Sequence, residues 1–490
     1  MSYKTLPYLE SLRTKISAIA PAMQGDPELA APCNVSANLL DRMIVDHSIA
    51  LKYQSECYAG MNALLPAIEA ELPPATPDQA AIEALRELAT ICSSSDTSAF
   101  GRFIHLCSEL QRILLKSTTA SAATIVKKLV GIEAGYCRKL ELAVAEQAAK
   151  AELARNAPAA RNVRAINQPA LLEFIRHSFP DEKDVSIAES AFISGGFSKF
   201  TVGITLAGTR TLPQHIILRG DGSATYGGAS VVDEYQLVKA VYDHGVNVPT
   251  PLVLEPTGKV FGSPFMLVER RAGKPMGHMF NLPGKHNKAL AADIASKLAA
   301  IHKVPLQALG DGVDGAKSST SAKVIAWLDE AENSWAPTGM PSPVFEAALH
   351  WLRRNAAIND KAPRTLVHGD YALHNLLFEN DRVNTILDWE FSHIGNPAYD
   401  LGYFHYMATA LCPWDEFLQA YGASGVPIPD EDQLDYNILL ATTRLGVMVC
   451  QSTSMFRSGA ETGMAIAPTV ALGYYEMTIK RISDMLEKIL

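Results

Sequence analysis

Thr365-Leu366-Val367-His368-Gly369-Asp370-Tyr371-Ala372-Leu373-His374-Asn375-Leu376-Leu377-Phe378, with the Glu379-Asn380-Asp381-Arg382 and Val383-Asn384-Thr385-Ile386-Leu387-Asp388-Trp389-Glu390 that follow, decides the reading of this chain. Leu376 to Phe378 and Val383 to Leu387 are apolar runs flanking four polar residues, the pattern of a β-hairpin. With its turn centred between Asp381 and Arg382, Asn375 is expected to face Asp388. Directly opposed antiparallel residues hold their Cβ atoms roughly 4.5–5.5 Å apart, so an amide and a carboxylate converge at the mouth of the hairpin. Two hard oxygen donors at that separation suit a Mg²⁺ that keeps waters for other oxygens to replace. Asp370, on the loop entering the first strand, adds a carboxylate able to accept or orient the proton of an attacking hydroxyl.

Upstream, Phe192 to Ile204 reads as strand, glycine turn and strand, His215 to Arg219 as a third strand, Val231 to His244 as a helix, and Phe265 to Glu269 as another strand. Strands packed with one helix make a small α+β lobe. Before it, Ala148 to Gln168 is rich in Ala, Arg and Asn with little apolar periodicity, which marks a linker. Residues 1–155 carry apolar residues at helical spacing, as in Phe103-Leu106-Leu110-Ile113-Leu114, and predict a bundle of four to six helices. Helices return beyond Asn287 and run from about Asp400 to Leu490. The expected division is a helical accessory domain over 1–155, a linker over 156–168, an α+β lobe over 169–270 and a helical lobe over 271–490.

The chain's 490 residues exceed one core, and roughly 150 residues per domain gives two to four units. With 48% hydrophobic and 19% charged residues it has a globular composition. A net charge of −9 without a basic run argues against a nucleic-acid partner. The seven cysteines form no C-x-x-C pair, the pattern of reduced thiols. No apolar segment reaches the ~18 residues of a membrane span, and the first residues lack a signal-peptide core, so the expected location is cytoplasmic with no membrane partner.

The string H-G-D-Y-A-L-H-N over 368–375, followed by L-D-W-E over 387–390, resembles the kinase catalytic loop and metal-binding loop in the form used by the aminoglycoside phosphotransferase and choline-kinase-like family. Gly395-Asn396-Pro397-Ala398-Tyr399-Asp400-Leu401 is similar to that family's downstream signature. The resemblance covers about 165 to 480 and implies a bilobal protein-kinase-like α+β fold, here preceded by an all-α bundle. It implies an ATP- and Mg²⁺-dependent phosphotransferase acting on a small-molecule hydroxyl, with Asp370 catalytic and Asn375 and Asp388 holding the metal. It further assigns Gly195, Gly196 and Ser198 to a turn over the ATP phosphates, Arg219 to the phosphate grip, Glu234 to its ion-pair partner, and Val268, Glu269 and Arg270 to the adenine-reading hinge. His368 and Asp400 become structural residues near the site. Arg219 stands where most relatives carry Lys, and Ile217-Leu218-Arg219 resembles the V-L-R of a subgroup related to kinase domains fused to acyl-CoA dehydrogenases.

Each residue also has a plainer reading. H-G-D alone is a common turn; the five-residue step to Asn375, the hairpin and the upstream lobe turn it toward chemistry. Asp400 is expected to cap the helix that follows. Pro429-Asp430-Glu431-Asp432 reads as a solvated helix start rather than a cation-attracting patch. The subgroup resemblance favours a hydroxyacyl-CoA or another catabolic alcohol as acceptor. The alternatives are an aminoglycoside or macrolide antibiotic kinase, and a nucleotide-binding pseudokinase whose helical domain is an interaction surface. The helical domain is also the expected seat of a homodimer.

Overall fold

The computed structural model describes residues 40, 53–72, 79–94, 99–150, 166–193, 199–221, 228–276, 287–309, 319–458 and 474–489. The glycine turn holding Gly195, Gly196 and Ser198, and the linker up to residue 165, lie outside these residues.

The chain divides into two compact units, neither continuous in sequence. The first comprises Met1–Arg161, Val324–Ala356 and Leu439–Leu490; the second comprises Asn162–Lys323 and Ala357–Ile438. This departs from the expected boundaries, which placed 271–490 wholly in a helical lobe. The reason is packing inside the first unit. Gln111, in the helix Phe100–Leu114, donates to the Pro343 carbonyl at 2.5 Å, and Arg112 Nε donates to Glu346 at 2.6 Å. Buried Glu133, in the helix Ala120–Lys150, accepts from Ser342 and from Tyr475 of the helix Tyr474–Ile489. Those bonds join later helices to the early bundle. The helix Ala120–Lys150 also runs three residues into the linker-like stretch that starts at Ala148.

The second unit opens with a five-stranded antiparallel sheet of β1 (Ser186–Phe192), β2 (Lys199–Ala207), β3 (His215–Asp221), β4 (Pro251–Glu255) and β5 (Phe265–Glu269), in the order β1-β2-β3-β5-β4. Alternation sorts its side chains. Ile216, Leu218, Phe265 and Leu267 join Leu171 and Ile175 of the helix Gln168–Ser178 in one core. Met266 and Val268 pack instead with Val231 of the helix Val231–Asp243. Ser230 caps that helix by accepting the Asp233 N–H at 3.2 Å.

A short β6 (Lys274–Pro275) follows, and after the helices Lys288–His302, Thr320–Trp335 and Pro343–Arg354 and then β7 (Thr365–Val367) come β8 (Leu376–Glu379), β9 (Arg382–Ile386) and β10 (His393–Gly395). β6 pairs with β8, β8 with β9, and β7 with β10. The β8–β9 hairpin exists as expected, with a different register. Asn380 and Asp381 both adopt left-handed φ, +52° and +57°, the two-residue turn whose twist matches the strands, so Glu379 pairs with Arg382. A bulge between Leu377 and Phe378 then sets Leu376 opposite Ile386. Asn375 therefore lies opposite Leu387, whose N–H it accepts at 2.8 Å, and not opposite Asp388.

Candidate active site

Three segments of the second unit meet around Asp370. The turn carrying it is set by Gly369, at φ +81°, where an added Cβ would stand 2.2 Å from the Phe391 carbonyl oxygen. No L side chain fits there. His368 is buried against Trp389, ring centroids 4.7 Å apart. Its Nε2 donates to the Leu387 carbonyl at 3.0 Å, and its Nδ1 accepts the Asp370 N–H at 3.3 Å. That pattern needs a neutral ring, and burial holds its pKa below the usual histidine value.

Asp400 does not cap its helix, Ala398–Leu411, whose cap position is Pro397; Asn396, just before it, accepts the Ala398 N–H at 2.9 Å. Asp400 lies in the first turn, fully buried, and accepts the N–H groups of His368 at 2.7 Å and Gly369 at 2.9 Å. His302 Nε2 lies 3.1 Å from the same carboxylate. Burial opposes its charge, yet the bonds from His302 and the His368 amide hold its carboxyl below the ordinary range. Asp400 thus braces the Gly369 turn, where the sequence pattern had it capping the helix end.

Asp370 itself is 14% exposed. Asn375 donates through Nδ2 to the Asp370 carboxylate at 2.7 Å and to its carbonyl at 3.0 Å. Burial first, then repulsion from Asp388, pushes the Asp370 carboxyl up to about 6, against bonds from Tyr403 and Asn375 that lower it. Asp388 stands at φ +67°, an unusual backbone conformation for a residue with a side chain. One of its oxygens is bonded by Arg219.

Arg219 leaves β3 and reaches both walls. Its Nε donates to Glu234 at 3.1 Å while the same guanidinium bonds Asp388. Glu234 is 2% exposed and also accepts the Trp389 N–H at 3.4 Å. Burial raises the Glu234 carboxyl, partly offset by Arg219, and burial of the guanidinium is outweighed by the carboxylates of Glu234, Asp388 and Glu390, which raise it further. Arg219, Glu234, Asp388 and the Trp389 backbone therefore form one closed ring, far from a surface ion pair. Lys199, not singled out as a site residue, is 5% exposed and ties Asp221 and the Ala229 carbonyl, each at 2.6 Å.

The hinge is partly different from expectation. Val268 is buried in β5, and the N–H groups of Glu269 and Arg270 donate to the carbonyls of Thr250 at 2.9 Å and His215 at 3.0 Å. A nucleobase edge at this segment would meet its carbonyls or the residues after Arg270. The Glu269 carboxylate is engaged with Thr250 and Arg271.

The site's donor set fits a hard divalent cation. Asn375 spends its Nδ2 on Asp370, which leaves the amide oxygen as its ligand atom, and Asp370 and Asp388 repel one another, with only Asp388 bonded by Arg219. His374 stands 3.9 Å from Asp370, and burial holds its pKa below the usual histidine value.

Residues 193–435 match the profile of a family described as the phosphotransferase enzyme family. Acyl-CoA dehydrogenase family member 10 of Mus musculus is 30% identical over 202 residues, 40% of this chain and 18% of its own length. Acyl-CoA dehydrogenase family member 11 of Pongo abelii is 29% identical over 177 residues, 35% of this chain and 22% of that protein. The chain thus spans less than a third of these relatives. A crystal structure from Ralstonia eutropha, provisionally assigned as an aminoglycoside phosphotransferase, is similar with a TM-score of 0.52 at 20% identity, covering 66% of this chain and 99% of that one. That likeness speaks for the bilobal kinase-like fold alone. With the Gly369 turn, hairpin and ion-pair ring falling inside the matched span, this chain carries, over residues 193–435, a domain of the phosphotransferase enzyme family.

Proposed function

We propose that the chain transfers the terminal phosphoryl group of ATP to the hydroxyl of a small molecule. The observation that supports it most directly is the Asp370–Asn375 bond, set beside the Arg219–Asp388 pair. Asp370 would orient the acceptor hydroxyl and take its proton, which a carboxyl held near 6 does at neutral pH. Arg219 would grip phosphate oxygens with its planar fork, exchanging its bond to Asp388 for theirs while Glu234 keeps it in place. Asn375 and Asp388 would hold Mg²⁺, which neutralises charge on the transferring group. The gain comes from positioning and electrostatics rather than covalent chemistry.

A hydroxyacyl-CoA, or another catabolic alcohol, is the acceptor class we favour, because the named relatives are acyl-CoA dehydrogenase family members. An antibiotic kinase draws no support from the acidic run: Asp430 accepts the Gln433 N–H at 2.9 Å and caps a helix instead. The test is a phosphoryl-transfer screen of hydroxyacyl-CoAs, aminoglycosides, macrolides and choline-like amines, run beside Asp370→Ala. That variant is expected to lose turnover at least 100-fold and to bind ATP as the parent does. Undiminished turnover would sink the assignment.

A further inference from the structure

The mechanism leaves open what keeps the Asp370 carboxylate itself in one orientation. Asn375 holds one oxygen, Oδ2. The other partner comes from a different element: the Tyr403 hydroxyl, on the helix Ala398–Leu411, donates to the same carboxylate.

That helix is tied to the catalytic turn along one stripe. Asp400 accepts the His368 and Gly369 N–H groups. Three residues on, Tyr403 meets Asp370, and four further on, the Met407 sulfur lies 3.4 Å from the Leu373 N–H. Spacings of three and four residues put these side chains on one helical face, one turn apart. Consecutive turns of the helix thus hold consecutive parts of the loop, 368–369, 370 and 373.

The helix cannot easily roll about its axis. Gly402, beside Tyr403, lies so close to Asn437 that an added Cβ would be 2.5 Å from its carbonyl carbon. Phe404, on the other side, is fully buried, with Tyr371 at 5.6 Å and Phe417 at 5.4 Å between ring centroids. Tyr399 stacks on the Tyr403 ring at 6.4 Å and 27°, and His393 meets Tyr399 edge-on at 5.6 Å. A hydroxyl on a ring fixed in this way is a stable reference point for the carboxylate it bonds.

We infer that Tyr403 is a positioning residue: with Asn375 it clamps the Asp370 carboxylate from two elements, so that one oxygen stays presented to the acceptor hydroxyl. The inference rests on the catalytic assignment of Asp370 and predicts a partner in that work which no motif marks.

The test uses the full chain and Mg·ATP with water as acceptor, in a double-mutant cycle of Tyr403→Phe and Asp370→Asn. Phe keeps the ring and its stack on Tyr399 and removes only the hydroxyl. The expected result is a fall in kcat of about tenfold, typical of a lost bond to a charged group, with KM for Mg·ATP unchanged. In the Asp370→Asn background the same substitution has no further effect, because its influence runs through that carboxylate. Amide exchange of segment 368–375 in the ligand-free chain is measured in parallel and is expected to quicken in Tyr403→Phe. Parental kcat together with parental exchange overturns the inference, and so does a full additional loss in the Asp370→Asn background. Parental turnover by Asp370→Asn alone removes the catalytic assignment on which it stands, an outcome distinct from a failure at Tyr403.

Discussion

At the scale of single residues, the site is held by atoms that have no alternative. Gly369 is the clearest. Its left-handed φ and the 2.2 Å approach of the Phe391 carbonyl act together, and the obstruction is backbone, which cannot rotate away. Gly369→Ala is therefore expected to cost at least ~2 kcal/mol of stability and to displace Asp370, so that turnover falls by more than the loss of folded protein explains. A urea melt and a specific-activity measurement on the same preparation decide it; a fully stable, fully active variant would refute the reading. Arg219 shows the same economy. Its guanidinium spans Glu234 and Asp388 at once, and a Lys ammonium, as a point donor on a flexible stem, does not reproduce the planar fork.

Elements explain what the sequence made legible and what it did not. The hairpin could be read because apolar runs flank a polar turn, and Asp370, Asn375 and Asp388 did come together. The register was misjudged by one residue, since the sequence Glu379-Asn380-Asp381-Arg382 does not say which pair turns. Asn and Asp are the residues that tolerate left-handed φ, and that preference was the missed signal. β4 escaped notice because it opens on Pro251, and its pairing partner is needed to reveal it. Tyr403 was equally hidden: the Asp400-Tyr403-Met407 spacing is visible, but which loop that face meets is a tertiary fact. The turn residues give a direct check. Asp381 is exposed at φ +57°, where glycine is at no disadvantage, so Asp381→Gly is expected to stabilise the chain by about 0.5 kcal/mol. Its thermal midpoint should rise slightly with turnover unchanged, and a lowered midpoint would contradict the turn assignment.

For the whole molecule, the discontinuous helical unit changes what the accessory domain means. Amphipathic helices carry no address in their sequence, so nothing in 324–356 or 439–490 announced that these segments pack with the first 161 residues. Removing residues 1–155 would strip partners from helices encoded far downstream, and such a truncation does not isolate a domain. Glu133 is the point where three of these segments are joined. It is 3% exposed and accepts Ser342 Oγ at 2.7 Å, the Val344 N–H at 2.9 Å and the Tyr475 hydroxyl at 2.9 Å. Glu346, whose charge also pushes the Glu133 carboxyl up, is itself paired with Arg112. Burial, only partly opposed by those bonds, pushes the Glu133 carboxyl from 4.5 up to about 7. A carboxyl raised on folding favours the folded state fully below its unfolded value, near 4.5, and that contribution disappears as pH rises through about 7. Protonated, Oε1 can donate to the Tyr475 oxygen while Oε2 still accepts from Ser342 and Val344, so the three-way junction persists in acid. The full swing is about 3 kcal/mol. Urea midpoints of the full chain are thus expected to fall between pH 5 and pH 8. In Glu133→Gln, whose amide does not titrate, that part of the slope disappears; the same slope in both proteins would show that the junction's charge has no bearing on how the three-segment helical unit holds together.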